Sequence, residues 1–489
     1  MIRLPLEATP EELQTVLNGA VERASARGWT LAEAAKGVIR TLQCPHGEQV
    51  WLEADGDDLG AALSARLLDS VGCSCSSEFA TDIRGTPFTG TEMNTIRQRM
   101  PLTASAPDWL APGSKRPLEG LGAVFTIHHQ RDFLVMLESA VALGLDPRHI
   151  LVIDKEYEYL YRHRVDGHIR RVLGARTASY SQLEPTLEEF FKELRARWQR
   201  ALLIDDGGYL LPQIAEGSPV NRQFVAGVVE QTSSGIVALE PYLPRLEIPI
   251  FDVAESDLKE TVEARGVAAA GWRSLQNVLP DVHWNGRRAL VCGYGRIGRA
   301  LAHELARESV QVGIYDIHYA RLVSALEDGF ATHDSVGDAV RQWQPDLIFG
   351  ATGRARWGAN LFEALQRDCV MVSLTSRDYE FDKAFLEQRA TEIRSIADVG
   401  TRYVIPTETG PRAALLVADG FPINFYRAES MPNEQSDLIL AAMLLGSVAI
   451  VARRAEFSPG LNREKSNQII NEHAILTRYY LARKEQLRF

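Results

Sequence analysis

The sequence has few cysteines and lacks the long apolar runs of a membrane protein. Five cysteines in 489 residues cannot form a disulfide framework, which favours a reducing compartment. No apolar run of roughly 7 to 15 residues follows the start, so we predict no secretory signal and a cytoplasmic location. The most apolar run, residues 438–452, is shorter than the ~20 residues that span a bilayer. We predict a buried helix there and no membrane partner.

The chain also has fewer positively charged than negatively charged residues. The chain has 53 Lys plus Arg against 64 Asp plus Glu, a net charge of −11, so a basic nucleic-acid-binding surface is not expected. The hydrophobic fraction of 45% and charged fraction of 24% are typical of globular proteins, and the length predicts about three domains.

Two pairs of possible metal ligands lie in the N-terminal part of the chain. Cys44 and His46, like Cys73 and Cys75, have one residue between them. Zinc-binding pairs usually have about two to four, and we predict no metal site.

The sequence pattern changes near residue 120. Residues 1–105 are predicted to form an N-terminal accessory domain with helices at 10–26 and 31–42 and a strand at 49–53. After that, short apolar runs alternate with helical patterns, as in βαβ units of a parallel sheet. Predicted strands lie at 123–127, 150–154 and 201–205, and in a second series at 288–292, 310–315, 346–349 and 370–374. The predicted fold class is therefore α/β.

A glycine-rich motif joins the first strand of the second series to a predicted helix at 299–308. It reads Gly293-Tyr-Gly295-Arg296-Ile297-Gly298. Glycines here allow a tight turn, close approach to a pyrophosphate, and contact between helix and sheet. The next strand ends at Asp316, where a carboxylate can bind both adenine-ribose hydroxyls, which favours NAD over NADP. The alternative is a tight turn that binds nothing. The loop at Thr352 and Gly353 is predicted to line the same cleft.

Four further segments resemble one enzyme family, the S-adenosylhomocysteine hydrolases. They are Asp205-Asp-Gly-Gly208, Gly227-Val-Val-Glu-Gln-Thr-Ser-Ser-Gly235, Val291-Cys-Gly-Tyr-Gly-Arg-Ile-Gly298 and Leu416-Val-Ala-Asp-Gly-Phe-Pro-Ile-Asn424. The resemblance covers about residues 118–455. It implies a doubly wound Rossmann NAD-binding domain at 266–420 and an α/β substrate-binding domain at 118–265 plus 421–455, followed by a C-terminal tail at 456–489.

The resemblance also implies a reaction and an assembly. In that family, bound NAD oxidises the 3′-hydroxyl of a nucleoside, a base removes the acidified 4′-hydrogen, the 5′-thiol leaves, water adds, and the ketone is reduced again. Each step requires a positioned proton carrier. The family is oligomeric, so a homodimer or homotetramer is expected.

The family's site residues map onto this chain one by one. The implied catalytic residues are Lys259, Asp206, His128 and Glu263, the last standing where the family has Asp. The implied substrate-binding residues are Asp132, Glu230 and Gln231. The implied cofactor contacts, besides the glycine motif and Asp316, are Thr232, Ser233, Ser234, Thr352, Gly353 and Asn424. Other interpretations remain open: His128 as a strand-end histidine, Lys259 as a solvated hinge lysine, and Asp206 as a turn cap.

Several positions depart from the family pattern. Gln231 replaces an acid, Ala264 replaces an Asn, and Ser376 and Met431 stand where the family has histidines. Methionine cannot carry a proton. Three hypotheses therefore stay open: an NAD-dependent enzyme that oxidises a nucleoside-like substrate with altered later chemistry, a true S-adenosylhomocysteine hydrolase with substituted proton carriers, and a non-catalytic NAD or nucleoside-binding protein.

Overall fold

The computed structural model describes residues 2–35, 39–46, 49–57, 60–67, 75–113, 115–353, 355–375 and 380–487. Within these residues the strands form three sheets of five, seven and eight strands. The two larger sheets are parallel over most of their width and alternate with helices along the chain. The α/β class with a Rossmann-type second half is therefore confirmed. Cys73 and Ser376 lie outside the described residues.

The N-terminal unit is an antiparallel sheet with the strand order β1-β5-β4-β3-β2. A capping box between Thr9 and Glu12 starts helix α1, whose buried residues Leu13, Leu17 and Ala20 belong to the same apolar core as Leu42 and Leu52 of the sheet. The elements are β1 (Ile2–Leu6), α1 (Pro10–Ala26), β2 (Thr30–Ala35), β3 (Ile39–Gln43), β4 (Gln49–Asp57), β5 (Gly60–Leu67) and α2 (Cys75–Arg84).

The predicted helix at residues 31–42 is wrong. The described residues of this segment belong to β2 and β3, which pair with each other, and β3 also pairs with β4. A short apolar stretch fits either periodicity, and pairing with β4 decides between them because it satisfies the backbone groups of β3.

The next three helices belong to the second sheet rather than to the N-terminal one. They are α3 (Gly90–Arg99), α4 (Pro101–Ala104) and α5 (Ala106–Leu110). Their buried residues Met93, Leu102 and Ala106 pack in the same apolar core as Phe125 and Phe133. The boundary predicted at residue 105 therefore falls inside a packed unit, since these helices bury their apolar faces on the later domain.

The seven-stranded sheet has the order β20-β11-β10-β9-β6-β7-β8, and each described pair in it is parallel. Its first elements are β6 (Gly122–Thr126), α6 (Arg131–Ala142), β7 (Ile150–Asp154), α7 (Arg162–His168), β8 (Arg176–Ser179), α8 (Leu183–Ala196) and β9 (Ala201–Asp205). They are followed by α9 (Leu210–Glu216), α10 (Pro219–Gln223), β10 (Val225–Glu230), α11 (Ser233–Leu239), β11 (Pro249–Asp252) and α12 (Asp257–Val278). Helix α12 runs across the boundary predicted at 265 and connects the two large sheets.

The eight-stranded sheet has the order β14-β13-β12-β15-β16-β19-β18-β17, with β17 and β18 antiparallel at one edge. Its first elements are β12 (Arg288–Cys292), α13 (Arg296–Arg307), β13 (Gln311–Tyr315), α14 (Tyr319–Glu327), β14 (Ala331–His333), α15 (Val336–Trp343) and β15 (Leu347–Gly350). The rest are α16 (Ala359–Phe362), β16 (Cys369–Ser373), α17 (Lys383–Arg389), β17 (Glu392–Ile396), β18 (Gly400–Ile405) and β19 (Arg412–Val417).

The chain then returns to the second sheet through α18 (Asn433–Ala452), β20 (Gly460–Leu461), α19 (Arg463–Glu472) and α20 (Ile475–Gln486). Helix α18 is long and apolar enough to cross a membrane, but 83% of its apolar window is buried inside the protein, against β10, α4 and α6. The predicted buried helix is confirmed. The prediction that residues 456–489 form a tail beyond the domains is wrong, because β20 pairs with β11 and Ile469 is buried in the core of the sheet.

Candidate functional site

A cavity of about 760 Å³ lies between the carboxyl ends of the two large sheets. The loops after β6, β9 and β10 line one side, and the loops after β12, β15 and β16 line the other. In parallel α/β sheets this edge is the usual place for a ligand. The predicted site residues in its wall are His128, Asp132, Asp206, Gln231, Thr232, Ser233, Ser234, Lys259, Glu263, Gly295, Arg296, Ile297, Thr352, Gly353 and Asn424.

The glycine motif has the backbone geometry that a dinucleotide loop requires. Gly293 has φ +105°, and a Cβ at Gly298 would lie 1.8 Å from the Gly293 carbonyl oxygen, so both positions require glycine. A Cβ at Gly295 would meet open space, which leaves room for a phosphate group against the first turn of the 12-residue helix α13.

Asp316 lies at the end of β13, next to this loop. Its buried carboxylate accepts hydrogen bonds from the backbone N–H groups of Tyr294, at 2.7 Å, and His318, at 2.9 Å. Its position at the end of the second Rossmann strand is the one from which a carboxylate binds adenine-ribose hydroxyls. Arg321 lies 3.4 Å from the same carboxylate. The loop, the helix start and the acid together fit NAD.

The loop after β15 is shaped by a buried carboxylate from another segment. Glu380 accepts hydrogen bonds from the backbone N–H groups of Thr352, at 2.9 Å, and Gly353, at 2.6 Å. Burial raises the pKa of Glu380, while these donors oppose the shift. Glu380 thus holds the loop in place.

Lys259 and Glu263 lie one turn apart on α12, at the point where the helix enters the cleft. The Lys259 ammonium is 2.9 Å from a Glu263 carboxylate oxygen and donates to the backbone carbonyl of Gln231 at 2.5 Å. The Lys259 side chain is only 4% exposed. The interpretation of Lys259 as a solvated hinge lysine is therefore excluded.

Asp206 and His128 meet at the carboxyl ends of β9 and β6. His128 Nε2 lies 3.2 Å from Asp206 Oδ2, and both side chains are buried. Burial lowers the pKa of His128 to about 3, and Lys155 lowers it as well. Burial alone would raise the pKa of Asp206, but its neighbours Lys155, His128 and Lys259 lower it, and its net pKa falls below the usual value. The pair is therefore an ionised carboxylate and a neutral imidazole at neutral pH.

The segment Thr232 to Ser234 starts helix α11 and contacts the other half of the cleft. Thr232 is the N-cap, and its hydroxyl accepts from the Gly235 N–H at 3.0 Å. Arg296, the first residue of α13, donates to the Ser233 hydroxyl at 2.8 Å and to the Ala254 carbonyl at 3.3 Å. These bonds join the glycine loop directly to the opposite wall.

Glu230 is not among the residues that line the cavity, and its predicted role in binding substrate stays a prediction. It is fully buried beneath the loop, where its carboxylate accepts from the backbone N–H groups of Thr232, at 2.9 Å, and Gly207, at 3.2 Å. A Cβ at Gly235 would lie 2.0 Å from it. Burial raises the pKa of Glu230 well above its usual value. Glu230 holds two loops together, and the sequence pattern did not distinguish that role from substrate contact.

The remaining predicted contacts lie at the far side of the cavity. Burial raises the pKa of Asp132 to about 6. Asn424 donates from its amide nitrogen to Ser430 at 2.8 Å, and its buried amide oxygen accepts no hydrogen bond within the protein. The side-chain oxygen of Gln231 is buried and unpaired in the same way. Met431 lines the wall where the resembling family has a histidine.

Several residues at the site were not predicted from the sequence. They are Lys155, Tyr159, Phe425 and Arg463. Lys155 could have been predicted from its position in the sequence, because it directly follows the buried strand β7. The carboxyl ends of β6, β7 and β9 meet at one edge of the sheet. Tyr159 and Phe425 reach the site through loops and Arg463 through the start of α19, so no local pattern marked them. Among the described residues, no group of three metal-binding side chains comes together.

Comparison with known proteins supports this geometry. Residues 274–430 match the model of the family described as S-adenosyl-L-homocysteine hydrolase, NAD binding domain. Two uncharacterised proteins of Mycobacterium tuberculosis, from strains CDC 1551 and H37Rv, are 27% identical over 381 residues, which cover 74% of this chain and 71% of theirs.

Solved structures with some likeness are more distant. A 2-hydroxyacid dehydrogenase from Ketogulonicigenium vulgare Y25 has a TM-score of 0.37 and 14% identity, with 71% of this chain and 98% of that chain covered. A dipicolinate synthase from Bacillus subtilis has a TM-score of 0.37 and 12% identity, with 70% and 98% covered. Likeness at this level assigns no activity. The family match does assign the cofactor, and the prediction of NAD is confirmed. Residues 274–430 of this chain thus resemble the NAD-binding domain of the S-adenosyl-L-homocysteine hydrolase family and form an NAD-binding domain.

Proposed function

We propose that this protein is an NAD-dependent enzyme that oxidises a sugar hydroxyl of a nucleoside-like substrate bound in the cavity. The observation that carries the proposal is that one cavity is lined both by the glycine loop at Gly295 and by Lys259, Glu263 and Asp206. NAD, when bound, accepts a hydride. The protein must then accept the proton that the oxidised hydroxyl releases.

Lys259 and Glu263 are our candidates for handling that proton. They form a close pair at the cavity wall, and the Lys259 side chain is buried. Asp206, held ionised by its neighbours, adds a fixed negative charge to the same wall. We assign Asp132 to substrate binding because it lines the cavity. We assign the Gln231 amide oxygen to the same role because a buried acceptor without a partner requires a donor from the ligand.

The proposal includes a change in the steps that follow oxidation of the sugar. Met431 lines the cavity and has no group that titrates. Hydrolysis of S-adenosylhomocysteine by the family's route requires proton carriers at two positions that are Ser376 and Met431 here. We therefore expect oxidation of the sugar without efficient elimination and hydration.

The test uses the full-length protein with NAD and, in separate reactions, adenosine and S-adenosylhomocysteine as probes. Formation of NADH, followed by absorbance, supports the proposal. Lys259→Met should slow it by roughly 10²- to 10⁴-fold, the usual contribution of a positioned acid or base. Lys192→Met, which changes an exposed lysine of α8, should have no effect and serves as the matched control.

Two other results would contradict the proposal. Stoichiometric release of adenosine and homocysteine from S-adenosylhomocysteine would identify a true hydrolase. Nucleoside binding, measured by calorimetry, without any NADH from a panel of nucleosides would identify a binding protein.

A further inference from the structure

Lys155 is a buried cation that the proposed chemistry leaves without a role. It directly follows β7, its side chain is only 1% exposed, and it lies behind Asp206, outside the cavity wall. Its ammonium donates to the Asp206 backbone carbonyl and lies 3.2 Å from Asp206 Oδ2. It is also 3.4 Å from His128 Nε2. Lys155 therefore contacts both members of the Asp206–His128 pair.

The contacts of His128 are those of a neutral ring. Nε2 lies 3.4 Å from the Lys155 ammonium, which can only donate, and 3.2 Å from Asp206 Oδ2, which accepts no hydrogen bond within the protein. Nδ1 lies 2.6 Å from the Tyr159 hydroxyl, and burial raises the pKa of that hydroxyl. The ring also stacks on Phe425 at 3.6 Å between centroids. Both nitrogens are thus satisfied by a neutral imidazole.

The charges around the pair explain why the imidazole stays neutral. One ionised carboxylate in a buried site is neutralised by one cation, and a second unpaired buried cation is costly. A lysine ordinarily binds its proton far more tightly than a histidine, by about four pKa units. Burial lowers the pKa of Lys155, while Asp206 and Asp205 act in the opposite direction. The other groups facing the pair are Asp205 and Glu230, whose pKa values are raised, together with His129, Tyr157, Tyr209 and Lys259. Among the cations that the structure describes, Lys155 contacts both Asp206 and His128.

We propose that Lys155 is a positioning residue that neutralises Asp206 and thereby holds His128 as a neutral imidazole. Without the ammonium, Asp206 would be left to pair with His128, and the ring would take up a proton to form an imidazolium–carboxylate pair. The role of Lys155 in catalysis rests on the proposed function. A neutral His128 can assist a proton transfer, whereas an imidazolium fixed to Asp206 cannot accept a proton.

The test is nitrogen-15 NMR of the histidine rings while the protein is titrated from about pH 8 down to about pH 4.5. The His128→Gln variant identifies the His128 signal, because that signal is missing from its spectrum. In the unmodified protein, the His128 ring should stay neutral throughout. In Lys155→Met the titration midpoint should rise by ~2 units or more, within the range that removal of a contacting charge produces. Lys155→Arg, which keeps the charge, should behave like the unmodified protein.

A double variant provides the decisive control. Adding Asp206→Asn to Lys155→Met removes the carboxylate that attracts the proton, and the His128 ring should return to the neutral state across the titration. The proposal is overturned if Lys155→Met, shown to be folded by circular dichroism, leaves His128 untitrated down to about pH 5. It is equally overturned if His128 of the unmodified protein is doubly protonated at neutral pH, a measurement that requires no variant.

These measurements do not depend on turnover. If no nucleoside is oxidised but the His128 midpoint moves as stated, the proposed function fails and the role of Lys155 stands. Once a substrate is identified, Lys155→Met should shift the acidic limb of the pH–rate profile upward, which a purely structural defect would not do.

Discussion

Carboxyl groups of the same type have different pKa values at this site because their neighbours differ. Asp205 and Asp206 are adjacent in sequence and equally buried. Burial raises the pKa of Asp205 to about 6, whereas the nearby Lys155 offsets burial at Asp206 and its pKa is lowered. Only Asp206 is thus held firmly as an anion at neutral pH, and it is the one that lines the cavity.

Buried His128 should make the protein less stable in acid. Its pKa is about 3 in the folded protein and about 6.5 when unfolded, so the unfolded state binds the additional proton between these values. Stability is therefore fully present above about pH 6.5 and falls as the pH drops, by at most ~1.4 kcal/mol per pH unit from this residue. Urea unfolding of the unmodified protein and of His128→Gln at about pH 7 and pH 5.5 checks this. Equal losses in both proteins would contradict it.

Asp316 should determine the preference for NAD. Replacement by alanine removes the ribose acceptor and releases Arg321, now 3.4 Å from the carboxylate, to attract a 2′-phosphate. We expect Asp316→Ala to weaken NAD binding by roughly tenfold, ~1.4 kcal/mol. The difference in affinity between NAD and NADP should become smaller. Calorimetry with both dinucleotides measures this, with exposed Asp338→Ala of α15 as control. Tighter binding of NADP than NAD by the unmodified protein would refute the assignment.

At the scale of elements, strand-to-helix turns place the functional groups. The turn between β12 and α13 brings the Gly298 backbone against Gly293, and the turn between β10 and α11 places Thr232 as N-cap above Glu230. Helix α12 carries Lys259 near its start and the buried Trp272 further along, and so fixes the lysine relative to the NAD-binding core.

Two glycines of one turn should respond differently to alanine. Gly298→Ala places a Cβ 1.8 Å from the Gly293 carbonyl oxygen, which forces the strand and helix apart. We expect a loss of about 1–3 kcal/mol in stability and weaker NAD binding. Gly295→Ala meets no atom within 4 Å, so stability should be retained while the methyl group competes with the phosphate for space. Thermal unfolding and NAD affinity distinguish these effects, and unchanged stability in Gly298→Ala would be inconsistent with the turn described.

At the scale of the whole molecule, the chain crosses between the two large sheets twice, through α12 and through residues 418–433. Arg296 bridges the cleft to Ser233, and Arg131 at the start of α6 forms an ion pair with Glu429 of the returning segment. Two crossings with contacts on both sides form a cleft that can exclude water around a reacting group.

The protein should assemble as a homodimer or homotetramer. The last helix, α20, leaves apolar side chains in solvent, with Tyr480 61% and Leu481 57% exposed, and large exposed apolar residues in one region are typical of a contact surface. Light scattering coupled to size-exclusion chromatography should give two or four times the mass of the chain. A monomer at micromolar concentration would contradict this prediction, and Leu481→Lys should favour the monomer if α20 takes part.

Much of the site could be predicted because its signals are local. The glycine motif, Asp316 and the segment Thr232 to Ser234 each follow a buried parallel strand, and strands of this kind place their carboxyl ends together. The roles of Glu230 and Lys155 could not be predicted in the same way. Each depends on groups from other strands, which determine whether a charged side chain points into the cavity or supports a loop behind it.

The sequence by itself determined the alternating strand and helix pattern, the dinucleotide turn and the family resemblance, since periodicity and turn chemistry depend on near neighbours. The tertiary structure decided the rest. It formed the two strands β2 and β3 where a helix was predicted, packed α3 to α5 on the second sheet, paired β20 with it, and gave Asp206 a lower pKa than Asp205. The physical reason is that strand pairing, burial and ionisation depend on partners far away in the chain, which only the fold brings together.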